Sequence, residues 1–205
     1  MSAIDWLAAV QAAATLFFIM DPLGNIPVFN SLLKEYPAPQ RARIIAREMG
    51  FALFILLFFL FAGTRILEFL GLSRSSLSLS GGILLFIIAI RMIFPTPRQQ
   101  REEPVEAPFI VPLAVPMIAG PSTISVLLLL SSTAPERMAD WTTALLMAWG
   151  AGTLILVFSP AMLRLLGERG LRAIERLMGM LLILIAVQMI MDGVTEYVGG
   201  LGLGG

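Results

Sequence analysis

The stretch IMDPLGNIP, residues 19–27, interrupts the first apolar segment of the chain and decides how that segment is built. Each proline removes a backbone donor and disrupts the preceding helical turn, and here Pro22 and Pro27 flank Gly24. Read as one helix, residues 4–33 would extend about 45 Å, whereas a bilayer core is about 30 Å thick. The stretch therefore predicts two half-helices separated by unwound backbone, which survives at membrane depth only where protein or water surrounds it.

The composition places the whole chain in a membrane. Of its 205 residues, 58% are hydrophobic and 14% are charged, against about 25% charged in soluble domains. The formal net charge is zero, which argues against a nucleic-acid partner. The chain has no cysteine and no histidine, so disulfides and the usual metal ligands are excluded, and we expect no metal and no cofactor.

Six apolar segments are long enough to cross a bilayer, so the predicted fold is an all-α polytopic membrane protein with a single transmembrane domain over residues 1–205. The segments are roughly Trp6–Leu33, Met49–Leu70, Leu77–Phe94, Phe109–Leu130, Trp141–Leu166 and Leu177–Met191. Eleven of the fourteen Lys and Arg residues lie in the loop regions after the first, third and fifth segments. By the positive-inside rule, both termini should face the outer, periplasmic side of the inner membrane.

The two halves of the chain resemble each other, with repeat 1 at about 1–95, a cytoplasmic linker at about 96–107 and repeat 2 at about 108–194. Residues 81–94 match residues 178–191 at a shift of 97, including Gly82 with Gly179. The opening stretch has its counterpart in MIAGPSTISV, residues 117–126, at a shift of either 98 or 99. Three segments per half insert the second half in the opposite direction, which predicts a 3+3 inverted repeat with discontinuous helices 1 and 4.

Each predicted break exposes the N-terminus of a half-helix, whose free N–H groups suit a carboxylate. Asp21 is the acidic group within these breaks, and it suits an ammonium group. The pair predicts a zwitterionic substrate, and the small residues favour a small amino acid. The predicted substrate-binding residues are Asp21, Pro22, Gly24, Asn25, Gly120, Pro121, Ser122 and Thr123.

The segments FFIMDPLGNIPVF (17–29) and PLAVPMIAGPSTIS (112–125) resemble the MarC family of six-span membrane proteins. The resemblance covers essentially the whole chain, and it implies the same inverted repeat with discontinuous first and fourth helices. The family is named after a multiple-antibiotic-resistance locus. It includes SnatA-like transporters of small neutral amino acids such as glycine and alanine.

These observations favour a secondary transporter that works by alternating access and is not an enzyme. Asp21 could carry a coupling proton, and a sodium site of backbone carbonyls is equally compatible. The alternative is an exporter of other small metabolites or drugs, which predicts a larger, more aromatic cavity. An aspartyl protease is disfavoured because it needs two carboxylates in one site, and Asp21 alone lies deep in a predicted segment.

Several of these residues could also have purely structural roles. Asp21 could cap the second half-helix or pair with Arg91. Gly82 and Gly179 suit close contacts between helices. The three tryptophans, Trp6, Trp141 and Trp149, suit the membrane interface or a lipid-facing surface.

Overall fold

The computed structural model describes residues 4–33, 36–94 and 118–200, and these residues form helices without any strand. The helices are α1 (Trp6–Met20), α2 (Ile26–Leu32), α3 (Ala38–Leu70), α4 (Arg74–Ile93), α5 (Pro121–Thr133), α6 (Met138–Val157) and α7 (Ser159–Gly200). A single 3₁₀ turn, Pro135–Arg137, joins α5 to α6.

The first membrane segment consists of two helices, as the sequence predicts. Asp5 caps the start of α1 by accepting a hydrogen bond from the N–H of Ala8 at 3.2 Å. The helix ends at Asp21, and α2 begins only at Ile26. With 15 residues, α1 is about 22 Å long and falls short of the bilayer core of about 30 Å.

Four helical stretches are long and apolar enough to cross a membrane alone, and they are Pro39–Leu70, Arg74–Ile93, Pro135–Val157 and Arg169–Gly200. The other two apolar helices, α1 and α5, belong to the two segments that the sequence predicts to be broken. Most of each long helix faces outward, and large apolar side chains such as Phe54, Leu154 and Leu184 are exposed. An apolar surface of this extent fits contact with lipid, so the chain is a multi-pass membrane protein.

One face of the bundle, which we call the Asp5 face, collects the ends of several helices. The guanidinium of Arg137 donates to Asp5 at 3.0 Å and to Asp140 at 2.9 Å, which places the starts of α1 and α6 side by side. The indole of Trp141 donates to the carbonyl of Ala134, so α5 ends at the same face. Helices α1 and α6 therefore run parallel from this face.

The last described residues lie at the Asp5 face as well. Thr64 near the end of α3 donates to the carbonyl of Ser131, which lies near the end of α5. Helix α4 begins three residues after α3 ends. It packs antiparallel to α7, with Ser78 donating to the carbonyl of Met189 at 2.7 Å and Gly193 lying against Leu79. The start of α1 and the end of α7 thus share one face.

Two glycines hold α4 and α7 together, as the sequence predicts. A methyl group built at Gly82 would lie 2.9 Å from the carbonyl oxygen of Ala186. A methyl group built at Gly179 would lie 3.2 Å from the carbonyl oxygen of Ala89. At the shift of 97, Gly82 and Ala89 correspond to Gly179 and Ala186, so the two helices make the same contact in both directions.

Several predicted segment bounds are wrong at their polar ends. Residues 167–176 were predicted to be a loop, but they are helical except at Gly167, where φ is 64° and ψ is 172°. Helix α6 ends at Val157 instead of residue 166, and α3 begins at Ala38 instead of residue 49. Polar residues indicate contact with water and do not by themselves mark the end of a helix. A helix that extends beyond the bilayer core can carry its arginines on the side that is exposed.

The tryptophans divide between surface and interior. Trp6 is exposed, as predicted. Trp141 is buried, and Trp149 is partly buried and donates its indole N–H to the carbonyl of Met49 at 2.8 Å. Each of these two indole N–H groups has a backbone acceptor within the bundle, so neither ring lies wholly on the lipid-facing surface, and a place at the membrane interface stays a prediction.

Candidate functional site

The break in the first segment begins with an unusual backbone conformation at Asp21. Its φ of 43° and ψ of 58° lie in the left-handed region, and its N–H donates to the carbonyls of Phe17 and Phe18. Aspartate tolerates this region better than most residues with a side chain. The left-handed residue ends α1 and turns the chain away from the helix axis.

The carboxylate of Asp21 folds back over the turn that follows it. Its Oδ1 accepts a hydrogen bond from the N–H of Gly24 at 3.1 Å, so Asp21 caps the turn that precedes α2. The prediction that Asp21 caps the second half-helix is wrong, because α2 begins at Ile26 and has no side-chain cap in the structure. A methyl group built at Gly24 would lie 2.8 Å from Cγ of Asp21, which explains why a glycine stands there. Within the described ranges, Asp21 makes no ion pair; the predicted pairing with Arg91 is wrong, since that arginine is exposed at the end of α4.

Asn25 holds the two sides of the break together. Its side-chain amide donates to the carbonyl of Met20 at 3.2 Å and to the carbonyl of Asp21 at 2.9 Å. The residue precedes α2, but its side chain does not cap that helix. Asn25 therefore satisfies the carbonyls that α1 leaves free at its C-terminus.

The start of α5, where the sequence predicts the second break, has a similar side-chain bond. Residues 118–120 are not helical, and α5 begins at Pro121 with Gly120 as its extended N-cap residue. The hydroxyl of Thr123 donates to the carbonyl of Ile118 at 3.1 Å. The first half of the predicted helix 4, residues 109–117, lies outside the described residues.

The two side-chain bonds bear on the two registers that the sequence leaves open for the predicted repeat. Asn25 and Thr123 each donate to a carbonyl five residues earlier, on Met20 and Ile118 respectively. Both donors and both acceptors are separated by 98 positions in the sequence. The hydrogen bonds therefore favour the shift of 98 over the shift of 99.

The two breaks lie at the same depth in the bundle. Helix α1 starts at the Asp5 face and α5 ends there, and they contain 15 and 13 residues. At 1.5 Å per residue, Asp21 and Gly120 lie about 22 Å and 20 Å from that face. The two helices contact each other. No hydrogen bond joins the breaks among the residues that the structure describes.

The two breaks differ in their accessibility. Ser122 and Thr123 are buried, with 4% and 1% of their surface exposed, whereas Asp21, Gly24 and Asn25 are partly exposed. The first backbone bond within α5 runs from the N–H of Ile124 to Gly120. The preceding N–H groups of Ser122 and Thr123 have no acceptor among the described residues, and they lie at the positive end of the α5 dipole.

Two further residues adjoin the first break. Gly152 of α6 faces Pro22, since a methyl group built there would lie 3.5 Å from Cβ of Pro22. Glu175 of α7 is close enough to Asp21 for the two carboxylates to interact electrostatically. Sequence reasoning missed Glu175 because residues 167–176 were interpreted as a loop. Reading those residues at helical periodicity would have placed Glu175 on a membrane helix.

Comparison with known proteins identifies the family. The family model described as MarC family integral membrane protein matches residues 6–198. The UPF0056 inner membrane protein YhgN of Escherichia coli K12 is 48% identical over 193 residues, covering 93% of this chain and 98% of the relative. A UPF0056 membrane protein of Methanocaldococcus jannaschii is 33% identical, covering 90% and 95%. No solved structure matches. The chain belongs to the MarC family.

Proposed function

We propose that this MarC-family protein is a secondary transporter of small neutral amino acids, such as glycine and alanine, across the inner membrane. One observation carries the proposal: a partly exposed carboxylate, Asp21, stands at a break in helix 1 at the depth where α5 begins. Charged groups within the bilayer are costly and are typical of substrate or ion pathways. Paired breaks at one depth are typical of transporter binding sites.

The substrate is proposed to lie between the two breaks. Its ammonium group binds Asp21, and its carboxylate binds the N–H groups of Ser122 and Thr123, which the described residues leave without an acceptor. The little room at Gly24, where an added methyl group would lie 2.8 Å from Cγ of Asp21, favours a small amino acid. Pro22 and Pro121 then serve to break the helices.

The hydrogen bonds revise the roles of two predicted site residues. The amide of Asn25 and the hydroxyl of Thr123 already donate to backbone carbonyls. We therefore assign these side chains to holding the breaks open and not to contacting the substrate. The backbone N–H of Thr123 keeps its proposed role, because its side-chain bond does not involve that group.

Alternating access requires two halves that can move about a fixed site, and the proposed 3+3 inverted repeat supplies them. Two observations support the repeat. The contacts of Gly82 and Gly179 are reciprocal, as a two-fold axis between α4 and α7 would make them. The bonds of Asn25 and Thr123 are equivalent at a fixed shift. The first and last described residues also share one face, which we assign to the periplasm from the distribution of Lys and Arg.

Export of drugs or other metabolites is the alternative, and it predicts an aromatic cavity inside the bundle. The described residues do contain an aromatic groove, lined by Phe54, Phe58, Phe61 and Arg65 among others. All three phenylalanines are exposed on the outer surface of α3. Lipid covers such a surface, so the groove does not favour export.

A membrane protease would need two carboxylates that share a site, and two acidic residues have to be considered as partners of Asp21. Glu175 interacts with it electrostatically, and Glu48 is buried on α3. No hydrogen bond joins Asp21 to either residue in the ranges described, so the geometry does not favour a proton-sharing pair. We retain transport without catalysis as the proposal.

Counterflow in proteoliposomes tests the function directly. Vesicles loaded with unlabelled amino acid should accumulate external labelled alanine or glycine and should discriminate against large or charged amino acids. Varying the pH and sodium gradients separately identifies the coupling ion. A protein that is monodisperse and shows no counterflow with any amino acid of the panel would refute the proposal.

A further inference from the structure

A second carboxylate, Glu48, has a free oxygen atom inside the bundle. The residue is 4% exposed, and its Oε1 accepts from the guanidinium of Arg47 at 2.9 Å and 3.2 Å. Its Oε2 is buried without any hydrogen-bond partner, and no other buried side-chain nitrogen or oxygen of the described residues is in that state. A buried polar atom without a partner is costly and calls for a functional explanation.

Glu48 lies on the side of α3 that faces the core. Its helical neighbours Ile45, Met49 and Ala52 are fully or almost fully buried. The same helix carries an exposed glutamate, Glu68, nearer its other end. Glu48 therefore lies in a stripe of buried apolar residues, and its unpaired carboxylate oxygen does not belong to the exposed surface.

The position of Glu48 connects it to the break in helix 1. The carbonyl of the next residue, Met49, accepts a hydrogen bond from Trp149 of α6. Three residues further along α6, Gly152 faces Pro22. Three residues span about 4.5 Å of helix, so Glu48 lies within roughly one helical turn of the depth of the proposed site.

Few charges surround this carboxylate. On its own helix, Arg47 is in contact with it. The two described helices that pack against α3 are α5 and α6. Helix α5 contains no charged residue, and the one acidic residue of α6, Asp140, is bound to Arg137 at the Asp5 face. No other described cation is therefore positioned to neutralise Oε2.

We propose that Glu48 is the residue at which the coupling proton of transport binds, with Oε2 as the accepting atom. The inference rests on the proposed transport function and deepens it. One free oxygen suits a proton, whereas a metal cation needs several oxygen ligands. Protonation would also weaken the ion pair with Arg47, and this gives the binding event a structural consequence. Asp21 is then left free to bind the ammonium group of the substrate.

The variant Glu48→Gln tests this inference separately from the proposed transport function. Counterflow needs no net movement of protons, whereas accumulation driven by a pH gradient does. We expect Glu48→Gln to keep labelled-alanine counterflow within about twofold of the wild type. We expect it to lose the additional accumulation that a pH gradient drives in the wild type. The matched control is Glu68→Gln on the same helix, which should keep both activities, and Glu48→Asp should retain the response to the gradient.

Each other outcome has a defined meaning. A full response to the pH gradient in Glu48→Gln would overturn the inference and leave transport intact. Accumulation by the wild type that follows a sodium gradient and ignores pH would also overturn it. Failure of wild-type counterflow would remove the proposed function and this inference with it.

A measurement on the wild type covers the case in which Glu48→Gln does not fold. Dicyclohexylcarbodiimide reacts with protonated carboxyl groups in apolar surroundings, and the adduct can be located by peptide mass spectrometry. We expect labelling at Glu48 and no comparable labelling at Glu68. Absence of label from Glu48 at every pH would contradict its role as a proton-binding site.

Discussion

The side chains of Asn25 and Thr123 make equivalent hydrogen bonds in two different parts of the chain. Each donates to a carbonyl five residues earlier, Asn25 to Met20 and Thr123 to Ile118. These carbonyls lie where the chain is not helical or leaves a helix, so a side chain supplies the donor that the backbone does not. The two bonds stabilise backbone that is not helical within the bundle.

Thr123→Val should destabilise the second break. Valine keeps the shape of threonine but leaves the carbonyl of Ile118 without its donor, and such a loss costs about 1–3 kcal/mol. For a chain of this size, each kcal/mol lowers Tm by about 2–4 °C. Thermal unfolding of the purified protein, followed by intrinsic fluorescence, measures the effect.

Two variants control this experiment. Thr123→Ser keeps the hydroxyl and should restore most of the lost Tm. Thr143→Val removes an equivalent hydroxyl that bonds to Ala139 on an exposed surface, and it should have little effect. Equal losses in Thr123→Val and Thr143→Val would show that the bond at the break is not special.

Asp21→Asn should weaken amino-acid binding. Asparagine keeps an oxygen for the N–H of Gly24, so the turn should persist while the negative charge is lost. A charged hydrogen bond contributes about 1.5–3 kcal/mol, which predicts roughly 10- to 100-fold weaker binding. Equilibrium binding of labelled alanine to purified protein measures the change. The control is Asp192→Asn, at an exposed aspartate bonded to Gln188, and binding that depends equally on both would contradict the assignment.

Gly24→Ala should weaken binding through the position of the same carboxylate. The added methyl group would collide with the side chain of Asp21, whose Cγ would be 2.8 Å away, so the carboxylate must move. We expect a loss of alanine affinity of about tenfold or more, because a charged hydrogen bond depends on its geometry. Unchanged affinity in a folded Gly24→Ala protein would show that the carboxylate position is unimportant.

Gly82→Ala and Gly179→Ala should each destabilise the packing of α4 on α7. A methyl group at either site would lie closer to backbone or side-chain atoms than their van der Waals radii allow. Such overpacking costs about 1–3 kcal/mol. The reciprocal contact predicts that the two losses of Tm are similar in size. Gly150→Ala is the control, since the added methyl would lie within 4 Å of no atom beyond its own helical turn, and its Tm should stay the same or rise. Strongly unequal losses would argue against the two-fold relation.

Single cysteines can test the orientation, because the chain contains none of its own. Val198→Cys at the Asp5 face should react with a membrane-impermeant maleimide added to intact spheroplasts. Gln40→Cys at the start of α3 and Ala161→Cys at the start of α7, both at the opposite face, should react only after the membrane is permeabilised. The reverse pattern would place both termini in the cytoplasm and would contradict the positive-inside prediction.

Local features of the sequence predicted the broken first segment correctly. The prolines and glycine of residues 19–27 act on the backbone within one or two turns, so their effect does not depend on distant contacts. The apolar segments likewise predicted membrane helices, since each must satisfy its own backbone polar groups. The helix bounds were wrong where charged residues continue a helix beyond the bilayer core, as at residues 169–176.

The sequence alone determined the membrane class of the protein, the interruption at Asp21 and the presence of a second, similar motif. Only the tertiary structure decided that Asp21 and the start of α5 lie at about the same depth, that Asn25 and Thr123 bond to backbone, and that Glu48 keeps a buried oxygen without a partner. Local hydrophobicity and turn-forming residues determine the backbone conformation over a few neighbouring positions. The partners of a side chain depend on the rotation and depth of each helix against the others, and those are set by packing across the whole bundle.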